Sequence, residues 1–312
     1  KAKVLFEFLG RPLIDYPVEL SLSLGANPII AVVGHQADAV TAHLAQSFGP
    51  RVTTALQSER LGTGHAVLMA KEALSAFDGY LYILYGDGPL LTRASLKALA
   101  KRVMAKKNCP LGLISSALAN PTGYGRLLRD AKGKLIDIVE ERDANDEQRA
   151  IREANMGIYF VERAFLFKAL SQIGRANAQG EYYLTDLVRI AVAQGQEVAV
   201  YEAPESETRG INDRAQLYAL EAECRQAQTL TLMRNGVTLI DPASVQIDAR
   251  AEIAQDVTLG PNVIVRGHCR IGRGTTVDQG NVIEYSTIGE DVTLKPYNVI
   301  EHSEVRARAQ IG

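Results

Sequence analysis

Six short segments carry residue types that could do chemistry. The first is Leu84-Tyr85-Gly86-Asp87-Gly88-Pro89-Leu90. An apolar run ends directly in Gly-Asp, which puts a carboxylate at the carboxyl end of a predicted strand. Glycine lets a ligand approach the backbone, and Pro89 stops the strand from continuing. A single carboxylate in such a place suits Mg²⁺, which takes one or two protein oxygens together with phosphate oxygens and waters. The same Asp87 could equally cap a turn. In the second segment, Gln57-Ser58-Glu59-Arg60-Leu61-Gly62-Thr63-Gly64-His65-Ala66, two glycines flank Thr63, the expected N-cap of a helix. Free N–H groups at a helix start favour polar or anionic ligands, and Gln57 adds the paired donor and acceptor that a nucleobase edge requires.

Asn120-Pro121-Thr122-Gly123-Tyr124-Gly125-Arg126 is a turn signal with more glycine around its tyrosine than a turn requires. Glu140 and Asn155 lie beside predicted strands, and a carboxylate and an amide facing one pocket would suit sugar hydroxyls and an acetamido group. Gln179-Gly180-Glu181-Tyr182-Tyr183-Leu184-Thr185-Asp186 opens a helix. Asn212, in Gly210-Ile211-Asn212-Asp213, is either a helix cap or its neighbour, or a neutral oxygen ligand that completes a Mg²⁺ shell. The histidines make no metal cluster; His35 reads as a loop residue, and His268 and His302 as turn residues. Neither a Ser-His-Asp spacing nor a complete phosphate-loop lysine motif is present.

The elements that must position these residues alternate along the first two-thirds of the chain. Apolar, β-rich runs fall at Pro28–Val33, Tyr80–Tyr85, Leu111–Ser115, Gly157–Val161 and Glu197–Tyr201. Helical patterns lie around Tyr16–Leu24, Ala37–Ser47, Gly64–Phe77, Arg93–Ala105, Arg163–Gln172 and Leu184–Gln194. Alternation of this kind predicts a mostly parallel sheet with helices on both faces, and ligands beyond the carboxyl ends of its strands. Glu140–Glu153 reads as a solvated loop or helix. A long helix is expected over 213–236, ending at Asn235-Gly236.

From there to residue 312 the period changes. Ile247, Ile253, Leu259, Val265, Ile271, Val277 and Ile283 recur at every sixth position, and smaller residues from Val245 to Thr275 stand two positions ahead of them. A six-residue period fits neither a helix nor a strand pair. It fits short strands turning the corners of a triangular prism, with one aliphatic per wall pointing inward. The register slips by one between Ile283 and Ile288 and again before Val305, and is still running at Ile311. The stretch is therefore expected to hold only part of such a domain.

With 312 residues, a formal charge of −2 and 46% apolar residues, the chain has room for about two globular domains and no electrostatic reason to bind nucleic acid. Cys109, Cys224 and Cys269 are odd in number and outside metal-ligand spacing, the pattern expected of a reduced cytoplasmic protein.

Taken in order, Leu61–Ala66, Tyr85–Leu90, Pro121–Arg126, Ile138–Ala144, Asn177–Asp186 and Gly210–Asp213 resemble the bacterial bifunctional N-acetylglucosamine-1-phosphate uridyltransferase/glucosamine-1-phosphate acetyltransferase family. The resemblance implies a Rossmann-like α/β nucleotidyltransferase domain at 1–212, the linker helix at 213–236 and a left-handed parallel β-helix at 237–312. It implies that Asp87 and Asn212 hold Mg²⁺, and that Lys3 touches phosphate and shares the catalytic role with Asp87. Gln57, Gly62 and Thr63 would bind the uridine, Tyr85 and Gly86 would line the nucleotide, and Gly125, Glu140 and Asn155 would bind N-acetylglucosamine. The implied partners are UTP, N-acetylglucosamine 1-phosphate and UDP-N-acetylglucosamine, with acetyl-CoA for the full-length protein only and a homotrimer formed through the β-helix. Two departures stand out. The family's Gly-rich triphosphate loop, expected just upstream of Lys3, and the acetyl-transfer half of the β-helix are not in this sequence. Little or no turnover is accordingly expected of this stretch alone. Smaller departures are Gly88, where a bulky aliphatic is usual, and Met156, where a small residue is usual. Other readings are a monofunctional sugar-1-phosphate nucleotidyltransferase and a non-catalytic scaffold of the same architecture.

Overall fold

The computed structural model describes residues 1–211 and 213–312. Contacts divide the chain into two compact units, one comprising Lys1–Phe6 and Pro12–Gly210, the other Glu7–Arg11 and Ile211–Gly312.

The first unit is built on a six-stranded sheet in which Val198–Glu202, Leu111–Ala117, Glu153–Glu162, Gly125–Arg129 and Leu135–Val139 are successive neighbours, with Tyr80–Ile83 also paired to Glu153–Glu162. Tyr80–Ile83, Leu111–Ala117, Gly125–Arg129 and Val198–Glu202 run one way, as the alternating pattern leads one to expect; Glu153–Glu162 and Leu135–Val139 run against them. For Leu135–Val139 the reversal has a local cause in the hairpin Gly125–Val139. The Asp130 carboxylate accepts from the Lys132 and Lys134 amides at 2.9 and 2.8 Å, and Gly133 takes the left-handed conformation at φ 76°. That turn is too tight for anything but antiparallel pairing. Gly125–Arg129 is not among the expected strands, because its arginines at both ends leave only Leu127-Leu128 as an apolar signal.

Helices cover both faces. Leu96, Leu99 and Val103 of Arg93–Met104 pack on Ile114, Ile158 and Phe160, while helices Arg163–Leu170 and Asp186–Ala193 bury Leu166, Leu187 and Val188 against Leu111, Leu113 and Val161. Gly112 lets the first helix settle closely, since a Cβ there would lie 2.4 Å from Val103 Cγ2. A separate parallel pair, Ile30–Val33 with Thr53–Leu56, is backed by Val40, Leu44 and Phe48 of helix Ala37–Phe48.

In the second unit, helix Arg214–Arg234 is capped by Asp213, whose carboxylate accepts from the Gln216 amide at 2.7 Å, and it is followed by Gly236 at φ 90°. Beyond it the repeat closes a parallel β-helix of three walls. The six-residue period becomes a step of 18 per turn, as in Val265 over Ile247 and Ile283 over Val265. Where the register slips, the step becomes 17: Ile288 lies over Ile271, Ile300 over Ile283 and Val305 over Ile288. Because Glu284-Tyr285-Ser286 and Glu301-His302-Ser303 shorten the same corner on successive turns, the inward aliphatics remain stacked. The Tyr285 and His302 rings stack at that corner, their centroids 5.2 Å apart and their planes nearly parallel. Left-handed residues such as Asp256, Asn262, Asp291 and Arg308 turn the other corners, three positions before each inward aliphatic. Thr275, Asn281 and Ser286, fully enclosed within the coil, satisfy their polar groups on backbone atoms of neighbouring strands and corners. No helix among the described residues is long and apolar enough to cross a membrane.

Candidate functional site

Asp87 stands four residues beyond the strand Tyr80–Ile83, and its carboxylate is hydrogen-bonded and ion-paired to Lys3 Nζ. Lys3 reaches it from the single 3₁₀ turn Lys3–Leu5. That turn is tied down by the Ile14 amide, which donates to Val4 O at 2.9 Å. Val4 and Ile14 then pack over Gly86, where an added Cβ would lie 3.2 and 3.0 Å from their methyl groups. A side chain at Gly86 would push against both methyl groups, so glycine suits this close approach. Around Gly88 nothing lies within 4 Å of an added Cβ, so the absence of a bulky side chain leaves that side of Asp87 open.

Tyr85 lies on a second glycine. A Cβ on Gly157 would come within 2.0 Å of the Tyr85 ring, and Gly157 has φ 66°. Its strand makes this possible through a bulge: Leu113 pairs with Tyr159 but Ser115 with Asn155, so three residues on one strand face one on the other. Asn155, 7% exposed, spans the bulge. Its Oδ1 accepts from the Gly157 amide at 3.1 Å and its Nδ2 donates to the Tyr159 hydroxyl at 2.9 Å. Tyr85 is 47% exposed, yet burial, followed by the nearby Glu140 and Asp87 carboxylates, pushes its phenol up to about 12. Tyr85 thus lines a recess bounded by Gly157, Glu140 and Asp87 and open to water on its other side. Tyr124 is raised as well, first by burial and, among nearby charges, by Asp87 and Glu205.

Gly125 is paired across the sheet with Asn155, and an added Cβ would lie 3.5 Å from Glu140 Oε2. The other Glu140 oxygen accepts from the Thr185 hydroxyl at 2.9 Å. Burial is the main cause that raises the Glu140 carboxyl above the ordinary range. The Thr185 hydrogen bond opposes it, while Asp143, Asp186 and Glu181 add to it. Asp87, Tyr85, Gly125, Glu140 and Asn155 are therefore brought together.

Gln57, Gly62 and Thr63 form a second group. Gln57 Nε2 donates to Gly62 O at 3.3 Å and lies 3.1 Å from His65 Nδ1. Thr63 is not the N-cap: Gly62, at φ 105°, takes that place, and Thr63 is the first helical residue of Thr63–Leu68. Its hydroxyl accepts from the Leu184 amide at 3.0 Å instead. Capping by Thr63 loses because the Leu61–Gly64 backbone is paired to Tyr182, through Tyr182 N to Leu61 O and Gly64 N to Tyr182 O, both at 2.8 Å. Glu181–Thr185 is the clasp between the two groups, gripping Leu61–Thr63 on one side and Glu140 on the other. Thr185 and Gly157 carry no assignment from sequence; the Gln179–Asp186 motif was the available signal for Thr185, while a bulge leaves none. Asn212, the other expected Mg²⁺ ligand, lies outside the described residues.

Residues 1–207 match the nucleotidyl transferase family. The chain belongs to that family. Within the nucleotidyl transferase domain, the recess at Asp87, Tyr85 and Glu140 lies where α/β sheets hold their ligands. Curated relatives to which the chain is similar carry the name bifunctional protein GlmU. One from Anaeromyxobacter sp. (strain Fw109-5) is 46% identical over all of this chain and 63% of its own length. The one from Geobacter metallireducens is 44% identical over 92% of this chain and 60% of its own. The one from Pelobacter propionicus is 40% identical over 99% of this chain and 67% of its own. The chain thus spans a little under two-thirds of the length of this Anaeromyxobacter relative.

The donor set fits Mg²⁺. Asp87 offers one carboxylate, already paired with a cation and open on the Gly88 side, and a hard cation with phosphate oxygens and waters needs no more from the protein. Among the described residues no cluster of three or more His, Cys, Asp or Glu competes for it.

Proposed function

We propose that the whole protein transfers a uridylyl group from UTP to N-acetylglucosamine 1-phosphate, giving UDP-N-acetylglucosamine and pyrophosphate for cell-wall precursor synthesis in the cytoplasm. The observation that carries this reading is the gathering of an acid-plus-lysine pair, Asp87 and Lys3, with a carboxylate and amide, Glu140 and Asn155, around one recess. The first pair suits phosphates. The second, with Gly125 leaving room beside it, suits a sugar bearing hydroxyls and an acetamido group. Gln57, Gly62 and Thr63 would receive the uracil, and Tyr85 and Gly86 the rest of the nucleotide.

The attacking oxygen belongs to a phosphate and is already anionic, so no general base is required. Catalysis then rests on in-line placement and on neutralising charge at the transferring phosphorus. Lys3 contributes its ammonium, and Asp87 keeps that ammonium aimed at the phosphate path. Bound Mg²⁺, held by Asp87 and Asn212, would supply further neutralisation of phosphate charge. Glu140 and Asn155 orient the sugar so that its phosphate enters in line. The functional division at 212/213 and 236/237, a homotrimer formed through the β-helix and acetyl transfer to glucosamine 1-phosphate elsewhere in the whole protein belong to the same proposal.

The test is a product assay on the whole protein with UTP and either N-acetylglucosamine 1-phosphate or glucose 1-phosphate. Preference for the acetamido sugar, lost together with all turnover in a folded Asp87→Ala variant, supports the reading. Full activity after Asp87→Ala, or equal use of both sugars, overturns it.

A further inference from the structure

We propose that Glu141 is a positioning residue: its carboxylate, with Arg126, clamps the turn at Gly123 and Tyr124 that leads into strand Gly125–Arg129, so that Tyr124 stays towards Asp87 beside Gly125 and Glu140. This rests on the uridyltransferase reading above. Glu141 follows Glu140 directly but serves a different partner. Its Oε2 accepts from Arg126 Nη2 at 2.7 Å and from the Gly123 amide at 3.3 Å, while its Oε1 lies 3.8 Å from Arg149 Nε. Arg126 in turn donates to the carbonyl of Tyr124 through Nη1 and approaches Arg149 O at 3.5 Å through Nη2. One carboxylate therefore holds the turn ahead of strand Gly125–Arg129 at two points, the Gly123 amide directly and the Tyr124 carbonyl through the guanidinium.

In the turn, Gly123 takes the left-handed conformation at φ 87° and the Tyr124 amide donates to Pro121 O at 3.1 Å, while Gly125 and Arg126 are already strand residues paired with Asn155 and Ala154. Arg126 is 1% exposed, and its charge is offset by Glu141. A buried guanidinium whose carboxylate is removed must move towards water or find another acceptor. Either movement releases the Tyr124 carbonyl, next to Gly125, whose missing side chain leaves the room beside Glu140. Arg126 attraction holds the Glu141 carboxyl below the ordinary range, so the clamp stays charged throughout neutral pH.

The experiment compares wild type with Glu141→Gln and Glu141→Ala in the whole protein. Glutamine retains the shape and one acceptor, so it serves if alanine compromises folding. Steady-state kinetics should show KM for N-acetylglucosamine 1-phosphate rising about five- to tenfold in Glu141→Gln, with KM for UTP changing less than about twofold. Amide hydrogen exchange at Gly123 should accelerate in the same variant. Equal rises in both KM values, or unchanged exchange at Gly123, would overturn the clamp. If wild type fails to use this sugar phosphate with UTP, it is the functional reading that falls, and the clamp is decided by the Gly123 exchange alone.

Discussion

At the scale of single residues, the recess depends on side chains that are absent as much as on those present. Gly157→Ala would drive a methyl group into the Tyr85 ring and hold an L-residue at φ 66°. The expected result is a loss of about 1–3 kcal/mol of stability together with at least tenfold weaker sugar-nucleotide binding, read by denaturant unfolding and by calorimetric titration. Glu140 shows the opposite bargain between stability and function. Its carboxyl is raised in the folded protein, so its contribution to stability is fully present below the unfolded carboxyl's range and is lost as pH rises through the folded value. Glu140→Gln should therefore melt at or above the wild-type temperature at pH 7, the two converging at acid pH, while sugar-phosphate affinity falls at least tenfold. A variant that melts lower at pH 7 would show that the Thr185 hydrogen bond outweighs burial.

At the scale of elements, the two units use close packing of backbone differently. In the α/β unit, Gly86 and Gly157 make room for side chains near Asp87, Ile14 with Val4 over the first and the Tyr85 ring over the second. In the β-helix backbones approach where one coil rests on the next: an added Cβ at Gly272 would lie 2.6 Å from the Gly289 carbonyl carbon, and one at Gly289 would lie 2.5 Å from Ala307 N. Gly289→Val should destabilise the β-helix by about 1–3 kcal/mol, visible as a lower unfolding midpoint. The matching change at Gly274 or Gly280 meets side chains, Asp291 and Tyr297, which can rotate away, although both glycines also carry positive φ. The shortened corners explain why slips in the hexapeptide count do not break the stack. A slip is tolerated because the same corner shortens on successive turns, and the inward aliphatic on each wall still meets its counterpart.

At the scale of the whole molecule, ligand and metal should act together. UDP-N-acetylglucosamine with Mg²⁺ should raise the melting temperature, and EDTA should remove most of that rise and abolish turnover without changing the melting temperature of the free protein. An equal ligand shift with and without EDTA would separate binding from the metal. Much of the architecture was legible beforehand because it is written in local periods: the β-helix in its six-residue repeat, the long helix in its cap and glycine stop, and the helices around the sheet in their apolar faces. Asp87, Glu140 and Asn155 were legible as residue types at strand ends. What the sequence by itself determined was the set of elements and the motifs at their ends, since periodicity, capping and turn chemistry act over a few residues. Tertiary structure alone decided that Glu153–Glu162 runs against its neighbours and bulges at Gly157, that Thr63 serves Leu184 rather than its own helix, and that Lys3 meets Asp87. Those outcomes depend on pairings between residues far apart in the chain, and no local pattern encodes which distant partner a hydrogen bond or an ion pair will find.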